Sequence, residues 1–324
     1  MPRPVMLGIV GDSGSGKTTI TRGLVRVLGE DQVTHFCTDD YHRYDRRQRA
    51  DRDITPLDPE CNHLDVLAQH LEHLRRKEPI MKPVYQHHDG TFGAPEYFVP
   101  RRFVVCEGLL GFHNRDLAES FDVRVYLDPP EDLRRHWKVQ RDCSRRGYTT
   151  DQVLSELDRR EPDSERWIRP QRHRADIVVS FQPRGDDDQE HLDCRLTLCD
   201  TLPHPDLTGV VEEGGEIGFA ERSSGVELYV PGQLPPSRAS AIEEAIWEKM
   251  HFARHLREER LGEFTIGTDL HRSDSLAVVQ LLILYHMVMA RAVVAVGGGE
   301  ASARDFDLST LEDLIAQGGQ PPPV

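Results

Sequence analysis

Gly11-Asp12-Ser13-Gly14-Ser15-Gly16-Lys17-Thr18 is the stretch that decides how this chain is read. It fits G-x-x-x-x-G-K-[ST], a loop that cradles phosphate. The apolar run Val5, Met6, Leu7, Ile9, Val10 leads into it and reads as a buried strand. Thr19 to Leu28 follows and reads as a helix. Strand, loop and helix in that order are the context the motif requires. The glycines let the backbone close into a nest of N–H groups, and the helix start adds partial positive charge. Gly11 to Thr19 are thus the candidate nucleotide-binding residues, including Asp12, Ser13, Gly14, Ser15 and Gly16. Lys17 reaches the β- and γ-phosphates, and Thr18 supplies a hydroxyl for Mg²⁺.

At 324 residues, the chain has room for about two domains. A net charge of −15 argues against a large nucleic-acid surface. Six cysteines with no C-x-x-C suit a reducing compartment, so a cytoplasmic setting is expected. The apolar segment Leu276 to Val296 carries Gln280, His286 and Arg291. Its longest uncharged part is short for a bilayer crossing, which predicts a buried helix and no membrane association. No leader is expected before the first strand.

Val33 to Cys37 reads as a second strand, ending at Asp39, Asp40, Tyr41 and His42. Ligands of open α/β sheets sit at the carboxyl ends of strands, so two carboxylates there can face a γ-phosphate, or simply occupy a solvated turn. Residues 43–61 lack periodicity and read as an exposed loop, its arginines either a phosphate clamp or solubilising charge. Leu64, Leu67, Leu71 and Leu74 mark one face of a helix. His87 and His88 are adjacent and point apart, which disfavours zinc and leaves substrate contact or loop structure. Phe103 to Gly108 is a strand with Glu107 near its end, where an acid can orient Mg²⁺ through water. Val123–Leu127 and Ile177–Phe181 read as further strands, and Glu131–Arg146 and Thr150–Arg160 as helices. In the first of these helices Arg134, Lys138, Arg141 and Arg145 share a face that can close over a triphosphate. Strands alternating with helices imply an α/β core with a mostly parallel sheet flanked by helices. The polar break at Pro183–Asp188 divides the expected phosphate-loop core, 1–183, from a C-terminal α+β extension, 184–317, and a disordered tail, 318–324. In the extension, Cys194–Leu198 and Gly225–Val230 read as strands, and 239–259 and 275–294 as helices.

Together the segments resemble phosphoribulokinases, the dimeric plant and cyanobacterial type more than the octameric bacterial one. GDSGSGKTT at 11–19, DDYHRYDR at 39–46, TPLDP at 55–59, KPVYQHHDG at 82–90, CEGLLGF at 106–112 and WKVQRD at 137–142 carry the likeness. The resemblance implies ATP and Mg²⁺ as cofactors, ribulose 5-phosphate as substrate, and a homodimer. It implies that Asp39 is the base toward the C1 hydroxyl, that Glu107 helps hold Mg²⁺, and that Asp142 is a second essential acid. Lys138 would contact ATP phosphate, and His42, Arg46 and Arg146 the sugar phosphate, with His87, Arg141 and Arg160 as further substrate contacts. Where plant members have a redox cysteine in the phosphate loop, this chain has Ser15; Cys37 matches the partner cysteine, so that disulfide is not expected. Cys194 and Cys199 match the family's C-terminal pair poorly and are expected free. The alternatives are a uridine kinase, a kinase of another sugar phosphate, and a nucleotide-binding regulator without catalysis. The arginines at 43–52 favour a substrate that already carries phosphate.

Overall fold

The computed structural model describes residues 2–184, 191–207, 210–211, 215–250, 253, 256, 261–266, 269–296, 301–302 and 304. In chain order the first half holds β1 (Val5–Gly11), α1 (Lys17–Leu28), β2 (Val33–Cys37), α2 (Arg46–Asp51), α3 (Leu64–Arg75), and the short strands β3 (Ile80–Lys82), β4 (Tyr85–Gln86), β5 (Thr91–Phe92) and β6 (Glu96–Phe98). Then come β7 (Phe103–Gly108), α4 (Arg115–Glu119), β8 (Val123–Leu127), α5 (Glu131–Arg146), α6 (Thr150–Asp163) and β9 (Ile177–Gln182). The second half adds β10 (Asp193–Cys199), β11 (Gly218–Arg222), β12 (Gly225–Val230), α7 (Pro236–Lys249), β13 (Glu263–Ile266), β14 (Asp269–Arg272) and α8 (Asp274–Val296).

One eight-stranded sheet runs in the order β11-β12-β10-β9-β8-β1-β7-β2. Its members from β9 to β2 pair in parallel, and β10, β12 and β11 add antiparallel strands at the other end. The expected α/β core with a mostly parallel sheet is therefore what forms. Alternation along β1 divides the core in two. Val5, Leu7 and Ile9 join a cluster with α1, α7 and α8, whereas Met6 and Val10 join one with α3 and α4. The sheet is continuous across 183/184, so the C-terminal part extends the same sheet and shares the same core. The boundary residues 185–188 and the tail 318–324 fall outside the described residues.

By length and composition alone α8 can cross a bilayer: it has 23 residues, and an 18-residue window of it has a mean hydropathy of 1.9. Its burial identifies it as a core helix, since every residue from Ser275 to Val294 is buried. Gln280 shows how closely it lies against α1. A Cβ on Gly23 would sit 2.0 Å from Gln280 Nε2, so any larger residue there would have to displace the Gln280 amide. Gln280 Oε1 accepts from the Gly262 N–H at 2.9 Å.

Several boundaries differ from expectation. Residues 43–61 are not one exposed loop: Asp45 and Gln48 form a capping box that starts α2, and Arg49 on that helix is buried. The box was legible as D-x-x-Q, but six residues carry too little periodicity to announce a helix. The helix at 150–160 continues to Asp163 with Pro162 inside it. The helix expected over 239–259 starts earlier, at Pro236, and its described part ends at Lys249. The strands β11, β13 and β14 were not foreseen. Cys194 and Cys199 lie five residues apart on β10, roughly 17 Å at the rise of a strand, too far for a bridge between them.

Candidate active site

The parallel order β2-β7-β1 brings the ends of three strands side by side. Asp39 follows β2, Glu107 ends β7, and the phosphate loop follows β1. Gly14 and Gly16 adopt left-handed φ of 88° and 94°, which turns successive N–H groups inward. Lys17 Nζ donates to the carbonyls of Gly11 and Asp12, both at 2.8 Å, which folds its side chain over the loop. Burial pulls its pKa down, opposed by Glu107, Asp39 and Asp12. Thr18 Oγ1 donates to one oxygen of Glu107 at 3.1 Å, and Thr21 Oγ1 to the other at 3.0 Å. His35 Nε2 stands 3.6 Å from the same carboxylate. Burial raises the Glu107 carboxyl, but His35, Lys17 and Thr21 outweigh it and the net shift is downward.

Helix α5 closes over the loop. Arg134 donates to the Ser13 carbonyl at 2.9 Å and lies 3.4 Å from Asp12. A Cβ on Gly14 would be 3.0 Å from Lys138 Cβ, and one on Gly16 would be 3.7 Å from the Trp137 ring. Arg134, Trp137, Lys138 and Arg141 therefore present one face to the site, at the expected three- and four-residue steps. Asp12 differs from expectation in its side chain. It accepts from Ser13 N at 2.6 Å, pairs with Arg134 and bonds Ser164, so it braces the loop from behind rather than facing a ligand.

Asp39 and Asp40 have separate duties. Asp40 accepts from Lys82 Nζ at 2.6 Å and from Tyr85 N at 2.9 Å, which ties it into the wall. Asp39 turns to the cavity with its side chain 24% exposed, and His87 Nε2 is 3.8 Å away. Burial pushes its carboxyl up, yet His42, His87, Lys17 and Arg160 together draw it below its ordinary value, so it is ionised at neutral pH. His42 is buried and shares a 2.7 Å hydrogen bond with Asn62 Oδ1 through Nδ1. Burial holds it below the usual histidine range.

The cations beyond Asp39 come from three segments. Arg46 donates to the His87 carbonyl at 2.6 Å. Arg160 Nε donates to Glu156 at 2.7 Å. Arg141 and Arg146 stand 2.8 and 3.6 Å from Asp142, whose other oxygen accepts from Lys138 Nζ at 2.6 Å. Burial opposes ionisation of Asp142, but Arg141 and Lys138 prevail and bring its carboxyl down to about 2. With both oxygens engaged, Asp142 acts here as a positioning residue for Lys138 and Arg141. Burial, aided by Arg141, pulls the Lys138 ammonium down to about 8.

The residues expected to bind nucleotide, Mg²⁺ and sugar phosphate, apart from Gly11 and Asp12, line one cavity of about 1090 Å³, whereas Asp40 and Arg134 lie outside its lining. Sequence reasoning did not single out Tyr85, Asn62 and Thr21, and it named Arg49 only as one of the arginines of a loop that could clamp phosphate or carry solubilising charge. Arg49 donates to Tyr85 OH at 2.6 Å, and the Tyr85 ring meets His42 edge-on with centroids 4.9 Å apart. These contacts join 42–62 to 82–90, and no local spacing could signal them.

A pH prediction follows from Lys138. If its charge assists turnover, kcat/KM should fall as pH rises through about 8, where the free protein's ammonium loses its proton. Lys138→Arg should remove that limb, because a guanidinium stays charged. A pH–rate profile of both proteins checks it; identical profiles would separate Lys138 from the reaction.

The sequence matches the Phosphoribulokinase / Uridine kinase family over residues 6–187. A phosphoribulokinase of Synechocystis sp. is 38% identical over 235 residues, which are 72% of this chain and 71% of that one. A chloroplastic phosphoribulokinase of Chlamydomonas reinhardtii is 30% identical over 250 residues, covering 71% of this chain and 67% of that one. Among solved structures, a phosphoribulokinase from Rhodobacter spheroides superposes with a TM-score of 0.56 at 18% identity, over 76% of this chain and 97% of that one, a likeness of fold.

Proposed function

Since the chain belongs to the phosphoribulokinase / uridine kinase family, we propose that it uses ATP to phosphorylate the C1 hydroxyl of D-ribulose 5-phosphate, giving ribulose 1,5-bisphosphate and ADP. The observation that carries this reading is Asp39. It faces the cavity that the phosphate loop, Arg46, Arg146, Arg160 and His87 also line, and Lys17 as well as His87 and Arg160 act on its carboxylate to draw its pKa down. A substrate anchored there by its 5-phosphate would present its far hydroxyl to Asp39.

The chemistry then follows from placement. Asp39 accepts the hydrogen bond of the alcohol and takes its proton as the oxygen bonds to the γ-phosphorus. The bond from that phosphorus to the bridging oxygen breaks, and ADP departs with the electron pair. Phosphoryl transfer passes through a loose transition state, so aiming the hydroxyl and neutralising charge are the main tasks. Lys17 serves the β- and γ-oxygens, and Lys138, held by Asp142, adds charge from the opposite wall. Mg²⁺ suits the donor set: Thr18 and Glu107 offer oxygen only, as this hard ion requires, and two protein groups leave positions for phosphate and water. When bound, it neutralises charge on the β- and γ-phosphates.

A homodimer in a cytoplasmic setting belongs to the same proposal. It is supported by the outer strand β11 and its neighbour β12, which expose Phe219 and Tyr229, and by cysteines that are all free.

A coupled ADP-release assay across pentose phosphates and nucleosides tests the function. Ribulose 5-phosphate should be the best acceptor, and preference for uridine would overturn the reading. Arg46→Glu should raise the KM for the sugar phosphate at least tenfold, the cost of one charge-assisted contact, with the KM for ATP nearly unchanged.

A further inference from the structure

We propose that strand β13 and the end of β9 form the slot that holds the adenine of ATP, a reading that rests on ATP being the phosphoryl donor. The terminal phosphate is located by Lys17, Thr18, Glu107 and Asp39. The remaining phosphates follow the loop to the start of α1, so the nucleoside leaves past Thr19, away from Asp39. The cavity continues in that direction. Thr19, Arg22 and Arg26 line it along one face of α1. Phe181, Phe264 and Ile266 line the same cavity from β9 and β13. None of these three apolar side chains has work to do in phosphoryl transfer.

The strand is held at a defined distance. Arg26 pairs with the Glu263 carboxylate at 2.7 Å and also donates to the Glu263 carbonyl at 3.1 Å. That carbonyl therefore points to α1 and away from β14. Residues two apart on a strand direct their backbone groups to the same edge. The N–H and C=O of Thr265 accordingly face α1 and the cavity as a donor and an acceptor side by side. The Watson–Crick edge of adenine carries the complement, an acceptor at N1 and a donor at the 6-amino group. An apolar slot with a few convergent polar groups is the general form of a small-molecule site.

Calorimetry on the full-length protein tests the slot, with ADP and inorganic tripolyphosphate as separate probes. Phe264→Ala should weaken ADP at least tenfold and tripolyphosphate less than twofold, since the phosphate loop is untouched. Thr265→Pro removes a backbone donor that the β13–β14 ladder does not use. It should narrow the preference for ATP over ITP, whose base reverses donor and acceptor at that edge, by at least fivefold in kcat/KM. Unchanged ADP affinity in Phe264→Ala, a parallel loss of both probes, or equal use of ATP and ITP by the unaltered protein would each overturn the slot. Failure of the unaltered protein to bind either probe would overturn the kinase reading instead.

Discussion

Asp39→Asn is expected to lower kcat by about a thousandfold, within the range assigned to a positioned acid or base, while ADP affinity stays within a factor of about two. The replacement keeps shape and removes charge. What it removes is the ionised acceptor that His42, His87, Lys17 and Arg160 sustain against burial. An amide can still touch the alcohol but cannot take its proton, and its NH₂ group can turn to the hydroxyl the wrong way round. Nucleotide affinity should hold, because Lys17, Thr18 and the loop backbone are positioned by other contacts, with Lys17 bonded to Gly11 and Asp12. Steady-state kinetics beside ADP calorimetry reads both quantities. Near-normal turnover in the variant would remove Asp39 from its role, and a large loss of ADP affinity would make it part of the nucleotide site.

The second large effect concerns stability. A chain ending at Pro183 should fail to fold, although it contains every site residue expected from the sequence and the family match extends only to residue 187. The cut removes α8, whose face covers Leu7, Ile9, Val123 and Val125 in one cluster. It also takes away Leu276, Val279, Leu281, Leu282, Ile283 and Leu284, all buried. Each such side chain contributes about 1.5–3 kcal/mol when fully buried. Six of them amount to about 9–18 kcal/mol, as much as the whole net stability of an ordinary domain, about 5–15 kcal/mol. Leu282→Asp should have a similar effect by placing an unpaired charge in that core. Circular dichroism and a thermal melt of the soluble fraction check this. A fragment 1–183 with cooperative melting and ADP binding would show that the first half stands alone.

Much of the site was legible because its chemistry is carried by short contiguous segments. The loop at 11–18, the acid after β2, Glu107 at the end of β7 and the cationic face of α5 each have a local pattern, and sheet order does the rest. What stayed hidden depends on contacts between distant segments. That Asp40 is tied to Lys82 while its neighbour faces the cavity cannot be read from two adjacent acids. Asp12 sits inside the motif, but Ser164 and Arg134 turn its side chain outward from the ligand. Arg49 looks like its neighbours in the sequence and is distinguished only by the tyrosines it reaches. The strands β13 and β14 are too short and too polar for a period-two signal, and they are recognised by what they pair with.

The long apolar helix at the far end of the chain also sets a timetable. Arg3 accepts at its carbonyl from Arg291, 288 residues later, and strand β1 is covered by a helix the ribosome makes long after it. The nascent first half must therefore wait, one face bare, until α8 has been made. Loops of that span close slowly and leave greasy surface open to wrong partners in the meantime. Recovery from dilute denaturant should thus be governed by the arrival of α8, and holding chaperones have most to offer this polypeptide before that helix docks.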